Sequence, residues 1–412
     1  MVLTLQLKRA RCRQVANFEM MSEPALPAWA RDDAFPIRPN TSKFGVVDHS
    51  KISRSFESLD ELKAHLEVGK GRLDWIWTPE SDRLVAPEEV PKLAGSLKKR
   101  CLIFAAEDED YARRTAPLTG IAVLYGLYCF LKGVSPFNFP GIQFLVLTIF
   151  GFLYFTARPW WEARKGRAVA KRLTRDQIRD QVPEARFELW MENQRTPFSV
   201  LFLVLVVLVG GAQFVTPGLG ISEAGLVKPR YLAGENWRLF TAAFLHGNLI
   251  HFILNVSALW YLSRRVETLA RWPHLAAAFF LSIIGAGWAT ISWLPIQTSV
   301  GVSGVVCGLL GFLLVFETLH RSIVPRSARR RLAGILVSLI VIGTLGFKFV
   351  DNAAHLGGLV TGAIYAFVVF PRSSSPHRPM ILKRDFLIGG VGVFLIGSSA
   401  IGAILIMIIR AS

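Results

Sequence analysis

Apolar residues are spread unevenly along this chain. Through residue 114 they come in short groups mixed with polar ones, and beyond it they gather into long runs. The runs Leu118–Leu131 and Ile142–Phe155, joined by Ser135-Pro136-Phe137-Asn138-Phe139-Pro140, predict a transmembrane hairpin. Further runs follow at Phe198–Val215, Ile250–Leu262, Leu275–Leu294, Gly301–Leu319, Leu332–Phe347, Ala353–Phe370 and Phe386–Ile409. Several approach the roughly twenty residues that cross a bilayer as helix. Nine spans are therefore expected, with Ile250–Leu262 short in the way that helices packed inside a bundle are. Before the runs, Ser58-Leu59-Asp60-Glu61 has the form of a capping box opening a helix through Leu66. Leu73-Asp74-Trp75-Ile76-Trp77 alternates as a strand does and is ended by Pro79. The pattern thus divides the chain into a cytosolic region 1–114 with a small α+β module, a hairpin 115–157, a basic juxtamembrane segment 158–197, a core 198–371 and an additional C-terminal helix 386–409.

Composition turns this pattern into a class. Hydrophobic residues make up 52% of 412, and the mean hydropathy is +0.39. Because open sheet edges cannot be satisfied in lipid, the chain reads as an all-α polytopic membrane protein. Its net charge of +17 would suit a nucleic-acid binder if the protein were soluble. Here the basic residues flank the spans, and no nucleic-acid partner is expected. With 158–197 placed in the cytoplasm, alternate loops hold 22 Lys/Arg on the inner side and 6 on the outer. This orientation leaves the N-terminus cytoplasmic. Segment 158–197, marked at its ends by Trp160, Trp161 and Trp190, is expected to lie on the inner membrane surface as amphipathic helices. Cys12, Cys101, Cys129 and Cys307 show no paired spacing, so neither disulfides nor zinc are expected. Lys8, Arg9, Arg11 and Arg13 precede the first acid, Glu19. They read as a basic tail, as an extension upstream of a start at Met20 or Met21, or as an organelle presequence; no secretory signal is expected.

The same orientation gathers the polar residues of the core. Ser303, His355 and the group His246, His251 and Asn255 all fall at helix starts on the outer side, at comparable shallow depth. A serine in a membrane helix ordinarily bonds its hydroxyl back to a carbonyl one turn earlier. At a helix start, however, its peptide N–H has no intrahelical partner and can face a developing oxyanion. His355 is an ionisable group inside a span, where such residues mark function or glue neighbouring helices. Gly358 and Gly362 share its face, and Gly304, Gly308 and Gly311 form a matching face on the serine helix. If these faces meet, His355 can act on Ser303 as general base and then protonate a leaving amine. His251 and Asn255, four apart on one face, can donate to an oxyanion or serve as polar glue between helices. No carboxylate or cysteine completes a metal set around them, and no metal or cofactor is expected.

These residues carry a resemblance. The segments Glu235-Asn236-Trp237-Arg238, His246-x4-His251-x3-Asn255, Gly301-x-Ser303-Gly304-x3-Gly308 and Ala354-His355-x2-Gly358-x3-Gly362 resemble, in order and spacing, those of rhomboid intramembrane serine proteases. The resemblance runs from about Phe198 to Phe370. It implies a six-helix bundle, here with one C-terminal helix and an extra N-terminal transmembrane hairpin. It also implies a Ser303–His355 dyad, an oxyanion site from His251, Asn255 and the Ser303 backbone, and Trp237-Arg238 in a long loop partly inserted in the membrane. His246, Gly301, Gly304, Gly358 and Gly362 support that site, and His246 and Gln297 would line a water path. The implied substrates are transmembrane proteins, unwound locally to expose the scissile bond. Two positions need their own account. Cys307 stands where many members carry an aromatic ring against the histidine, and Asp351 precedes His355 by one turn, as a helix-entry residue or an orienting acid. An inactive rhomboid-fold protein that binds membrane clients is the alternative. A transporter would need paired interrupted half-helices, and no internal repeat is visible. A bacterial inner membrane is the expected location, with the active site toward the outer side. Residues 1–114 are expected to meet a cytosolic partner or to form an uncommitted surface domain.

Overall fold

The computed structural model describes residues 26–41, 43–48, 51–68, 74–136, 141–215, 219–293, 298–346 and 350–411. The basic tail, Leu73, most of the hairpin turn and Gln297 lie outside the described residues. One unit comprises residues 29–193 with 340–350; the other comprises residues up to 28, 194–339 and 351–412.

The first unit begins with a small sheet. Strand β1 (Phe44–Val47) pairs antiparallel with β2 (Ser53–Phe56) on one side and with β3 (Trp75–Trp77) on the other. Helix α1 (Leu59–Val68) closes it, and Val46, Leu62, Leu66, Ile76 and Leu93 form the core. The Ser58 hydroxyl accepts the Glu61 N–H at 3.2 Å. The Glu61 carboxylate takes the Glu57 N–H at 3.1 Å instead of that of Ser58, so the expected capping box is only half closed. Asp74 and Arg100 are both buried, with Nη1 and Nη2 each 3.1 Å from Oδ2. Alanine at Asp74 would strand the Arg100 guanidinium away from water, a cost of about 3–5 kcal/mol. The expected loss is read by the denaturant midpoint of Trp75 and Trp77 fluorescence. An unchanged midpoint would show that the guanidinium finds water.

Two long helices follow. Helix α2 (Ala94–Lys132) faces α3 (Gly141–Phe152), which passes through a π turn at Leu153–Ala157 directly into α4 (Arg158–Arg172). A π turn breaks the i→i−4 ladder and frees a carbonyl. Here the Thr115 hydroxyl, from the facing helix, donates to the Phe155 carbonyl at 2.7 Å. The hydroxyls of Thr115 and Thr119 also lie 2.9 and 2.8 Å from that of Thr156. This corrects the expectation for the basic segment. Its first half is no separate surface helix: it prolongs α3 along α2, with Gly166 beside Ala105 and Arg167 paired with Glu109. Its second half, α5 (Arg175–Glu192), is capped by Thr174, which accepts the Gln177 N–H at 3.3 Å. Trp190 is not interfacial either. It is buried with Leu189 against Phe187, at 6.1 Å between ring centroids, whereas Trp160 and Trp161 remain 42% and 66% exposed. Arg186 of α5 donates to the Trp29 carbonyl and to Glu89 and Asp32 at 3.2, 3.1 and 2.8 Å, which ties the helix to the sheet module.

The second unit is helical. In order it holds α6 (Pro197–Val215), α7 (Leu219–Ala224), strand β4 (Leu226–Val227), α8 (Lys228–Leu232), α9 (Arg238–Thr241), α10 (Leu249–Ala270), α11 (Trp272–Trp293), strand β5 (Thr298–Ser299) and α12 (Ser303–Leu319). Helix α13 (Arg326–Leu345) runs across the unit boundary, and α14 (Asn352–Val369) and α15 (Lys383–Ala411) follow. Among the described residues, six helices are long and apolar enough to cross a bilayer, and the bent pair Arg238–Phe244 with Leu249–Ala270 makes a seventh if counted as one span. Among the described residues, each expected run lies largely in a helix. Ser303–Leu319 is shorter than a full crossing, and Arg326–Leu345 opens with Arg326, Arg329, Arg330 and Arg331 and lies outside that set. The protein is an all-α polytopic membrane protein, with the small sheet module added.

Buried polar groups fix the bundle. Glu267 at the end of α10 accepts the N–H groups of Phe198 and Ser199 at 3.2 and 2.7 Å, which satisfies orphan donors at the start of α6. Arg265 donates to both oxygens of Glu317 on α12, at 2.6 and 3.1 Å. The C-terminal helix is built into the unit: Gly389 and Gly392 seat α15 against Pro273 and Ala276, and Arg410 meets Glu223 at 2.5 Å.

Candidate active site

The site is built at the starts of α10, α12 and α14. Asn248 caps α10, its side chain accepting the His251 N–H at 2.8 Å. The preceding backbone is clamped by Gln213 of α6, whose amide donates to the His246 carbonyl at 2.5 Å and accepts the His246 N–H at 2.8 Å. Neither Asn248 nor Gln213 was singled out by sequence pattern. The signals were an asparagine just before an apolar run and a lone amide inside a membrane helix.

His246 is fully buried, with its ring 5.4 Å from that of His251 and 5.1 Å from that of Phe252. Both of its ring nitrogens and Nδ2 of Asn255 are buried without a hydrogen-bond partner among the described residues. Buried polar groups are normally paired, and unpaired ones are costly. A cluster that can donate, left open beside His251, is chemistry suited to a developing negative charge or to water.

Gly301 joins this cluster to the serine. Its φ is +127°, a conformation that strains any side chain, and its N–H donates to the Ala242 carbonyl at 3.0 Å. A Cβ at Gly301 would stand 2.8 Å from Cε1 and 3.2 Å from Nε2 of His251, and 3.7 Å from Ser303 Oγ. The imidazole and the hydroxyl therefore flank one glycine. Ser303 is the first residue of α12, and the helical ladder starts at the Val306 N–H donating to Val302, so the Ser303 N–H is an orphan donor. Ser303 and His355 are both half-buried, while Cys307, one turn deeper, is buried and offers no open nucleophile.

His355 lies in the first turn of α14. Asp351 caps this helix: Oδ1 accepts the Ala354 N–H at 2.9 Å, and its carbonyl accepts the His355 N–H at 3.0 Å. Of the two sequence readings of Asp351, the structure shows the helix-entry residue. Helix α14 meets α12 backbone to backbone. A Cβ on Gly358 would fall on the Gly304 carbonyl oxygen, and one on Gly362 on that of Gly308. A Cβ on Gly304 would sit 3.4 Å from the Ala354 carbonyl, so the turn carrying Ser303 lies against the turn carrying His355.

Arg238 is fully buried in the connection between α6 and α10. It donates to the Ser222 and Gly225 carbonyls at 3.1 and 2.8 Å and to Glu235 at 2.5 Å, with its guanidinium 4.6 Å from the Trp237 ring centroid. Thus Arg238, stacked on Trp237, holds the loop in shape.

Comparison with known proteins agrees with this arrangement. Residues 233–372 match the family model described as Rhomboid domain. RHOMBOID-like protein 4 of Arabidopsis thaliana is 30% identical over 159 residues, covering 39% of this chain and 40% of that protein. Inactive rhomboid protein 2 of Homo sapiens is 31% identical over 164 residues, 38% of this chain and 19% of that protein. RHOMBOID-like protein 6, mitochondrial, of Arabidopsis thaliana is 30% identical over 167 residues, 39% and 54% respectively. The match spans less than half the length of the first two of these relatives. With the glycine-packed helix pair and the helix-start polar cluster inside the matched region, residues 233–372 form a rhomboid domain within this longer chain.

Proposed function

We propose that this protein is an intramembrane serine endopeptidase acting through Ser303 and His355. The observation that carries the reading is the meeting of the first turns of α12 and α14, together with the Asn255 amide on α10 and the His246 ring just before it, which have no partner among the described residues. In this mechanism His355 takes the proton from Ser303 Oγ as the oxygen attacks the scissile carbonyl. The oxyanion accepts from the Ser303 N–H, His251 and the Asn255 amide. His355 then gives its proton to the departing amine, and a water deprotonated by His355 releases the acyl group. His246 is assigned to lining the water path.

Substrates of this reading are membrane proteins whose transmembrane helix unwinds near the outer interface, since a continuous helix keeps its carbonyls bonded. The charge distribution favours a cytoplasmic N-terminus and an outward-facing site, as in a bacterial inner membrane. The module within 1–114 is assigned to a cytosolic partner. Two relatives are named inactive rhomboids or rhomboid-like proteins without stated activity, which keeps client binding without cleavage as the second reading. A binder gains nothing from a serine at a helix start packed against a histidine turn.

The test uses the full chain in lipid nanodiscs, a fluorophosphonate probe and a transmembrane reporter with helix-breaking residues at its outer end. Labelling and cleavage by the wild type, both lost in Ser303→Ala, are expected. A folded wild type that neither labels nor cuts would overturn the protease reading in favour of client binding.

A further inference from the structure

Residues that flank the matched domain on both sides meet at the backbone that carries His246. From the C-terminal side comes α15, which lies wholly beyond residue 372. One of its faces is buried at helical spacing: Ile396, Ala400, Ala403 and Met407 are each no more than 1% exposed. On the opposite face Leu405 is 51% exposed. The helix is held at both ends, by Gly389 against Pro273 and by Arg410 against Glu223, about 30 Å apart along its axis.

From the N-terminal side come Gln213 of α6 and the short helix α7. A Cβ on Gly220 of α7 would stand 3.3 Å from Met407 Sδ and 2.7 Å from Gln213 Cγ. Gly220 is thus the thin layer between Met407 and the side chain that clamps the His246 backbone. One turn along α7, Glu223 Oε2 accepts from Arg410 at 2.5 Å and from Arg230 at 3.1 Å. The neighbouring carbonyls are engaged as well. That of Ser222 accepts from Arg238 at 3.1 Å, and that of Ala224 from the Thr241 hydroxyl at 2.6 Å. Arg238 and Thr241 bound α9, which leads through Ala242–Phe244 to His246. Two routes therefore run from α15 through α7 to His246. Packing alone does not call for an arginine at the end of this helix. Arg410 is 43% exposed, and so open an ion pair contributes little to stability. It does fix where α7 sits.

We propose that the C-terminal end of α15 braces the active site, with Met407 and Arg410 as positioning residues that hold α7 and, through it, Gln213 and the His246–His251 turn. The effect on rate rests on the protease reading; the effect on the loop does not. Misplacing a reacting group by about 1 Å costs about a hundredfold in rate, and a loosened brace displaces it by less. Met407→Ala and Arg410→Ala are each expected to lose about tenfold in kcat, with KM nearly unchanged. Arg410→Lys keeps the charge and should recover most of that loss. Met407 acts through Gln213, so the pair Met407→Ala and Gln213→Ala should lose no more than Gln213→Ala alone.

The experiment measures kcat, KM and thermal unfolding of these variants and of Leu405→Ala, as full chains in nanodiscs. Hydrogen–deuterium exchange of segments 219–225 and 242–251 is followed in the same samples. Lower kcat and faster exchange of both segments in Arg410→Ala, at the wild-type unfolding temperature and with Leu405→Ala unaffected, support the brace. Unchanged kcat and exchange in Arg410→Ala, or a loss in Leu405→Ala equal to that in Met407→Ala, overturn it. So do losses that multiply in the Met407→Ala, Gln213→Ala pair. Should Met407→Ala fail to fold, Arg410→Ala and Arg410→Lys decide. Should the wild type neither cut nor label, the protease reading fails, and exchange alone decides: acceleration at 242–251 in Arg410→Ala upholds the brace, and unchanged exchange removes it.

Discussion

Alanine at Ser303 is expected to reduce cleavage of a transmembrane reporter by a factor on the order of 10^4 or more, and alanine at His355 by nearly as much. The double variant should be no slower than Ser303→Ala alone. The reason is that both side chains serve one event. Without the imidazole, the hydroxyl attacks with its proton still attached; without the hydroxyl, the imidazole has nothing to activate. Groups that act independently multiply their effects, whereas members of one constellation do not. The close approach of the two helix starts makes this joint action geometrically available, because the Gly304 turn abuts the Ala354 carbonyl. Asn255→Ala belongs to a different step and should cost about 10²–10³ in kcat by removing one oxyanion donor. Initial rates at saturating reporter, with fluorophosphonate labelling as a second readout, measure all four variants. A His355→Ala enzyme keeping more than about a tenth of wild-type kcat would sink the general-base role. Labelling that persists in Ser303→Ala and disappears in Cys307→Ala would move the nucleophile to the thiol, despite its burial.

Much of the helical core was readable because its constraints are periodic. Residues 304, 308 and 311 on one run and 358 and 362 on another repeat at helical spacing, and the structure sets these faces together. The apolar runs marked where the helices lie but not how far they extend, since α2 starts at Ala94, well before Leu118, and α10 ends at Ala270, beyond Leu262. What escaped depends on direction and partnership rather than on period. A basic, Trp-bearing stretch after a span looks the same whether the helix bends onto the membrane or continues straight, and here α4 continues α3 through the π turn. Trp190 has the amphipathic ring of an interfacial residue, but it is buried against Phe187 instead. Strands β1 and β2 are four residues each, and Ser53-Arg54-Ser55-Phe56 is too polar to announce a strand before β1 provides its partner. Gln213 was hidden for the same reason. It is a single polar residue whose meaning comes from what faces it, the backbone of His246.

Valine at Gly358 is expected to destabilise the protein by about 3 kcal/mol or more and to abolish labelling at Ser303, although no reacting group is altered. The argument rests on what the new Cβ would meet. At Gly358 it is the Gly304 carbonyl oxygen, and at Gly362 that of Gly308: backbone atoms inside a helix, which cannot rotate aside as a side-chain tip can. Helices α12 and α14 would have to separate, and the distance they lose is the one that holds the serine turn against the histidine turn. In a membrane this packing is not replaced by the hydrophobic effect, because lipid solvates the parted faces as well as protein does. Alanine at Gly358 should fall between, since the helices must still move, but by less. Gly151 and Gly402 serve as controls: both are helical and have nothing within 4 Å of an added Cβ, so alanine there should change stability by no more than about 0.5 kcal/mol. Thermal unfolding in nanodiscs and the rate of probe labelling give the two readouts. If Gly358→Val unfolds with the wild type yet fails to label, the glycine contact sets only the geometry of the site. If it does both like the wild type, the close approach of α12 and α14 is not what joins Ser303 to His355.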